Sequence, residues 1–173
     1  MTSVPHPAIP EQQLYFLPDV PHILKNWRAL LCSGQSVILP NDIVEKEGLV
    51  SAEVNVQHLK DLVQFEAKNI LKMAPKLNEN ILAPSHFEKM SVANAMYVFS
   101  EATSSALSSL VHCHGFPRQY LTTAWFIRNM RRWFDLCNSR SLHFAISQQK
   151  MEKYNNAMNF LQNEMIDLFK NLR

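Results

Sequence analysis

Residues 91–115 read SVANAMYVFSEATSSALSSLVHCHG. Val92, Met96, Phe99, Thr103, Leu107 and Leu110 recur every three to four positions, which places them on one side of a helix. The opposite side is rich in Ala and Ser. Side chains that small let another helix approach closely, so this helix is expected to be buried on both faces. Ser91 offers a side-chain oxygen to the first turn, and Gly115 supplies the stop near His114.

The same periodicity continues on either side. Pro117 opens a stretch whose apolar side is Tyr120, Ala124, Ile127, Met130, Trp133 and Phe134, with Arg128, Arg131 and Arg132 pointing elsewhere, and Asn138-Ser139 ends it. From about Gln148, Met151, Tyr154, Met158, Leu161, Met165, Leu168 and Leu172 keep a regular three-four spacing. That seam is expected to pack inside a bundle, with self-association as the alternative. Upstream, Asn55 caps a helix with the stripe Leu59, Leu62, Val63, Ile70 and Leu71, stopped by Pro75. Pro75–Pro84 is a connector, after which Ser85 and Glu88 have capping-box spacing. Pro21 begins a helix bearing Ile23, Leu24, Trp27, Leu30 and Leu31, ending at Gly34. Leu14–Leu17 reads as a buried strand end, and Gln35–Val54 reads as loops with a short strand. The expected architecture is mainly α: about five helices after one strand.

Composition narrows the function classes. The 173 residues are 47% hydrophobic, enough for one domain with a real core, and the net charge of +2 gives no argument for nucleic acid. Cys32, Cys113 and Cys137 form no paired spacing, which suggests free thiols in a reducing compartment, nuclear or cytoplasmic. No apolar run reaches the roughly 18 residues needed to span a bilayer, so no membrane partner is expected. Residues 1–13, with Pro5, Pro7 and Pro10, are expected to be extended or disordered and carry no signal peptide. Gly34, Gly48 and Gly115 stand alone, so neither a Gly-rich phosphate loop nor a dinucleotide fingerprint can be built.

Few residues are placed to carry chemistry. Asp19 follows a strand end, where a carboxylate can hold Mg²⁺; it is equally placed to cap the next helix. His112 and His114 lie two apart and so point to different sides of a helix, which argues against a shared metal. Phe134-Asp135 with Asn138-Ser139-Arg140 could read guanine. A carboxylate accepts from both N1 and N2 of that base, adenine offers no such donor pair, and an aromatic ring can stack on it. The alternative is an ordinary surface Asp near a helix end. Lys76, Lys89 and Asn94 lie in or near the connector, where lysine suits phosphate; solvated lysine is the plain alternative.

Four segments, in order, resemble those of P-element and THAP-associated DNA transposases. They are Phe16-Leu17-Pro18-Asp19-Val20-Pro21-His22-Ile23-Leu24-Lys25-Asn26, Leu71-Lys72-Met73-Ala74-Pro75-Lys76-Leu77, His86-Phe87-Glu88-Lys89-Met90-Ser91-Val92, and Trp133-Phe134-Asp135-Leu136-Cys137-Asn138-Ser139-Arg140-Ser141. The resemblance implies an RNase H-like core interrupted by a helical insertion that binds GTP as an assembly cofactor on transposon DNA. Residues 14–31 would then be a strand-plus-helix remnant of the core, and 32–173 the helical GTP-binding insertion domain. It further implies that Asp19 matches the second metal-binding Asp, that Asp135 matches the guanine-reading residue with Phe134 as its stacking neighbour, and that Lys89, Asn94 and Lys76 lie near the nucleotide. The family's first catalytic Asp and final Glu have no counterpart here, because Glu152 and Glu164 sit on a helix that reads as insertion. Metal-dependent strand transfer, and with it Mg²⁺, is therefore expected only in a complete parent enzyme. A helical protein-interaction module that has lost the nucleotide is the competing reading.

Overall fold

A computed structural model describes residues 2–9, 11–16, 18–85, 88–139 and 145–172. The chain begins with a hairpin, β1 (Thr2–Pro5) paired antiparallel with β2 (Gln13–Phe16) in the register Val4 opposite Leu14. Strand pairing thus orders much of residues 1–13, which the proline content had marked as extended or disordered. The prolines sit where they cost no ladder bond: Pro5 ends β1, and Pro7 lies in the turn. The His6 ring holds that turn, its Nδ1 accepting from the backbone of Ala8 and Ile9 at 3.2 and 3.1 Å. Leu17 lies outside the described residues.

Helix α1 (Val20–Cys32) follows, capped by Asp19, whose Oδ1 accepts from His22 N at 3.3 Å. Its Leu24 and Leu31 join the same core as the later helices. The stretch 35–54, expected as loops with one short strand, holds two: β3 (Val37–Ile38) pairs antiparallel with β4 (Glu53–Val54) around the short helix α2 (Asn41–Lys46). Val37, Leu39 and Val54 are buried, and that burial is what the weak alternation concealed.

Helix α3 (Val56–Glu66) starts at the expected Asn55 cap but ends well before Pro75. Ile70 and Leu71, read as part of its stripe, are 101% and 88% exposed. The cause is Glu66. Its buried carboxylate accepts from Met73 N at 2.7 Å and from Ala74 N at 3.0 Å. These bonds fold the chain back under the helix end instead of letting it run on. After α4 (Glu79–Leu82) comes a 3-10 turn, Glu88–Met90. Ser85 N donates to Glu88 Oε2 at 2.9 Å, one half of the expected capping box. His86 and Phe87 lie outside the described residues.

The opening stretch 91–115 is two helices, α5 (Val92–Val98) and α6 (Glu101–His114). Ser100 ends the first by capping the second: its Oγ accepts from Thr103 N at 3.1 Å, while Thr103 Oγ1 donates back to the Tyr97 carbonyl at 2.8 Å. A run of small hydroxylated residues offers such local bonds, which compete with a continuous helix. Gly115, at φ 71°, closes α6 in the left-handed region. Helix α7 (Tyr120–Cys137) then runs along α6, the most extensive helix pairing in the fold. Here the small residues act as expected: Ser104 Oγ donates to the Ala124 carbonyl at 2.9 Å, both residues being buried.

The C-terminal helix is continuous but changes pitch: α8 (Met151–Asn159), a π-helical segment (Phe160–Met165), then α9 (Ile166–Asn171). The even seam from 151 to 172 is therefore interrupted. Ala157 is buried before the π segment, Phe160 and Met165 at its two ends and Leu168 after it, while Met151 is exposed. One wide turn shifts the buried stripe by a residue so that both halves face the bundle. Phe169 anchors this helix between Trp27 and Trp133, at ring distances of 5.8 and 5.7 Å. Among the described residues no helix is long and apolar enough to cross a membrane.

A buried polar cluster ties α3 to α7. Thr123 Oγ1 accepts from Asn55 N at 3.2 Å and lies 2.7 Å from His58 Nδ1. The His58 ring stacks on Tyr120, 4.0 Å between centroids, and the Tyr120 hydroxyl donates to Asp61. Burial, then the Asp61 bond, pushes the Tyr120 hydroxyl up to about 12. Burial lowers the His58 pKa below 6.5, against the opposite pull of Asp61 and Glu53. The unfolded chain then binds more protons than the folded one just below that pH, so acidification favours unfolding. Stability should fall as pH drops below about 6.5, and His58→Gln should flatten that dependence. Urea midpoints of both proteins at about pH 7.5 and about pH 5.5 check this.

Candidate functional site

Two cavities lie side by side where α5, α6, α7, α8 and the connector before α4 converge. The smaller, about 360 Å³, is lined by Ala74–Leu77, Met96, Tyr97, Ser100, Ala102, Thr103 and Arg131. The larger, about 540 Å³, is lined by Met96, Arg131, Phe134, Asp135, Leu136, Asn138, Ser139 and Lys153. Arg131 and Met96 belong to both and join them into a two-lobed cleft. Each lobe lies within the roughly 300–1,000 Å³ typical of small-ligand pockets.

Local structure places each side chain. Asp135 sits in the last turn of α7 and is half exposed. A carboxylate there opposes the helix dipole, so helix stability does not account for it. Arg131, one turn back, compensates: its Nε donates to Asp135 Oδ2 at 2.7 Å. Phe134 lines the larger lobe but is only 2% exposed, so it forms wall more than open stacking face. Lys76 projects from the connector, its Nζ 5.1 Å from the centre of the Tyr97 ring. The Glu66 carboxylate that turns the chain at Met73 and Ala74 sets the position of this connector. Lys76, Arg131 and Lys153 against Asp135 give the cleft a cationic balance. Phosphate is the chemistry such a balance suits.

Of the residues singled out in the sequence, the structure brings Phe134, Asp135 and Lys76 to this cleft. Lys89 and Asn94 line neither lobe. Lys89 is exposed on the 3-10 turn, which is drawn toward α1 because Arg28 Nη2 donates to the Glu88 carbonyl at 2.8 Å. Asn94 is in the first turn of α5, its N–H on Ser91 Oγ at 3.2 Å. Arg28 is fully buried, its Nε and Nη1 without partners among the described residues, and burial lowers its pKa. Asp19 is exposed at the start of α1 with one oxygen engaged as a cap. Among the described residues no three His, Cys, Asp or Glu side chains cluster as metal ligands. Arg140 and Ser141 lie outside the described residues.

Sequence reading missed Arg131, Tyr97 and Lys153 as lining residues, and Glu66 as the organiser of the connector. Arg131 left one usable signal, its four-residue spacing from Asp135. Glu66 left none, since a buried acid at a helix end is visible only once the chain turns back on it.

Taken together, the fold is a helical domain with a two-lobed cleft that carries Lys76, Arg131 and Lys153 beside one carboxylate, Asp135. The family described as "TNP-like, GTP-binding insertion domain" matches residues 21–150, and the chain belongs to that family. Among solved structures it is similar to the Drosophila P element transposase strand transfer complex, with a TM-score of 0.78 and 21% identity. That likeness covers 98% of this chain and 36% of the other, so this chain spans about a third of its length. No curated protein matches the sequence. The resemblance read from the four segments to P-element-type transposases is thus borne out.

Replacing Glu66 by Ala leaves the Met73 and Ala74 N–H groups without their acceptor. Hydrogen bonds to a charged group are worth about 1.5–3 kcal/mol each, so a loss of about 3–6 kcal/mol is expected for the two. Urea unfolding of Glu66→Ala beside the wild type measures it.

Proposed function

We propose that this chain binds a guanine nucleotide, GTP, in the two-lobed cleft, as the insertion module of a P-element-like transposase. The observation that carries the proposal is Asp135, an accessible carboxylate at the wrong end of a helix for its charge, facing a cavity of ligand size. Its two oxygens match the N1 and N2 donors of guanine. Met96, Phe134 and Leu136 supply the apolar walls a base needs, and Arg131, Lys153 and Lys76 supply the counter-charge for phosphates. GTP therefore fits the residues present. The reading is one of nucleotide binding. Lys89 and Asn94 line neither lobe.

The wider context rests on family membership. In a complete parent enzyme, Asp19 at the foot of α1 would serve an RNase H-like core, with partner carboxylates from elsewhere in that protein, and the nucleotide would support assembly on transposon DNA. Such work would place the protein in the nucleus or cytoplasm.

Isothermal titration with GTP and with ATP is the direct test. The wild-type chain is expected to bind GTP in the micromolar range and ATP far more weakly. Asp135→Ala should lose about 100-fold in GTP affinity, since a site built on paired hydrogen bonds discriminates by that order or more. A folded chain that binds neither nucleotide sinks the proposal and leaves a helical interaction module.

A further inference from the structure

Arg131 occupies a position that base recognition alone does not explain. It is the charged side chain common to both lobes, and its Nε is committed to Asp135 Oδ2 at 2.7 Å. That is the carboxylate guanine would need. A guanine presenting N1–H and N2–H to both oxygens meets a competitor already bonded to one of them. We propose that Arg131 is an exchangeable counter-ion that makes the site selective for phosphorylated guanine compounds. When a nucleotide binds, the guanidinium leaves Asp135 to the base and takes a phosphate oxygen instead. This rests on the reading of Asp135 as the guanine acceptor.

The energetics favour that direction. Arg131 and Asp135 are one helical turn apart, with side chains 26% and 53% exposed. Partly solvated pairs of this spacing shift an equilibrium by only about twofold. A di- or triphosphate carries several charges and accepts two parallel bonds from a guanidinium, a stronger contact than the one given up. The exchange needs no backbone movement, since Arg131 already lines the lobe that holds Lys76. Guanosine has no phosphate to offer. It must displace Arg131 from Asp135 and leave the guanidinium without compensation. In this arrangement a single residue lets the ligand's phosphates release the group that reads its base.

The exchange makes opposite predictions for the two ends of the ligand, which separates it from a simple phosphate contact and from a role in holding Asp135 in place. Titrations of the wild type, Arg131→Ala and Arg131→Gln with GTP and with guanosine test it, each variant first shown to be folded by circular dichroism. Removing Arg131 should weaken GTP about tenfold or more, the worth of a lost charge-assisted bond. Guanosine should bind about twofold more tightly, as the competing pair is gone. The glutamine variant should behave like alanine, and adding Asp135→Ala should abolish the gain for guanosine. If guanosine affinity falls or stays unchanged in both Arg131 variants, exchange is wrong and Arg131 is a positioning or purely phosphate-binding residue. If GTP affinity is unaffected, Arg131 does not reach the phosphates. Failure of the folded wild type to bind GTP at all overturns the nucleotide site itself, and this proposal with it.

Discussion

The contact between α6 and α7 is the constraint on which the remaining packing depends. Ser104 donates to the Ala124 carbonyl, and both residues are buried. A bulkier side chain at either position would separate the two backbones and break a hydrogen bond that no water can replace. Holding α6 close to α7 brings Phe99 and Phe126 together at 6.4 Å, and Phe126 in turn meets Trp27 of α1 at 5.7 Å. The C-terminal helix packs on this surface through Phe160, under the Arg132 guanidinium, and Phe169, stacked on Trp27.

The cleft is a by-product of the same geometry. Its walls come from the corner between α5 and α6, from the end of α7, from α8 and from the connector after α3. Each meets the cleft where a helix ends or a chain turns, so polar side chains can face a cavity without being driven into the core. Two acids hold the arrangement in different ways. Glu66 is buried and satisfied by backbone donors, which makes it a structural part. Asp135 is accessible and, among the described residues, held by Arg131, a contact it can exchange. Burial separates their roles: a sealed carboxylate cannot exchange, and an exposed one stabilises little.

Much of this was legible in the sequence. The periodic stripes and their caps at Asp19, Asn55, Ser91 and Gly115 appear where local chemistry demanded them, because a cap is an interaction across three residues. Phe134 and Asp135 stood out through residue type and through the resemblance of their neighbours to known transposases. The break at Ser100 was harder to see, since Ser and Thr within an apolar stripe fit either one helix or two, and only the Tyr97–Thr103 bond decides.

What the sequence by itself determined is the helical class, most of the helix starts and the family to which the chain belongs, all of them properties of residues near one another in the chain. The tertiary structure alone decided that α3 ends at Glu66, that the last helix takes a π turn, and that Lys76 shares a cleft with Asp135 while Lys89 and Asn94 do not. Each of those outcomes turns on groups brought together from distant parts of the chain. Whether a carboxylate is sealed or open, and whether a lysine faces a cavity or solvent, is set by what packs over it, and no local spacing encodes that.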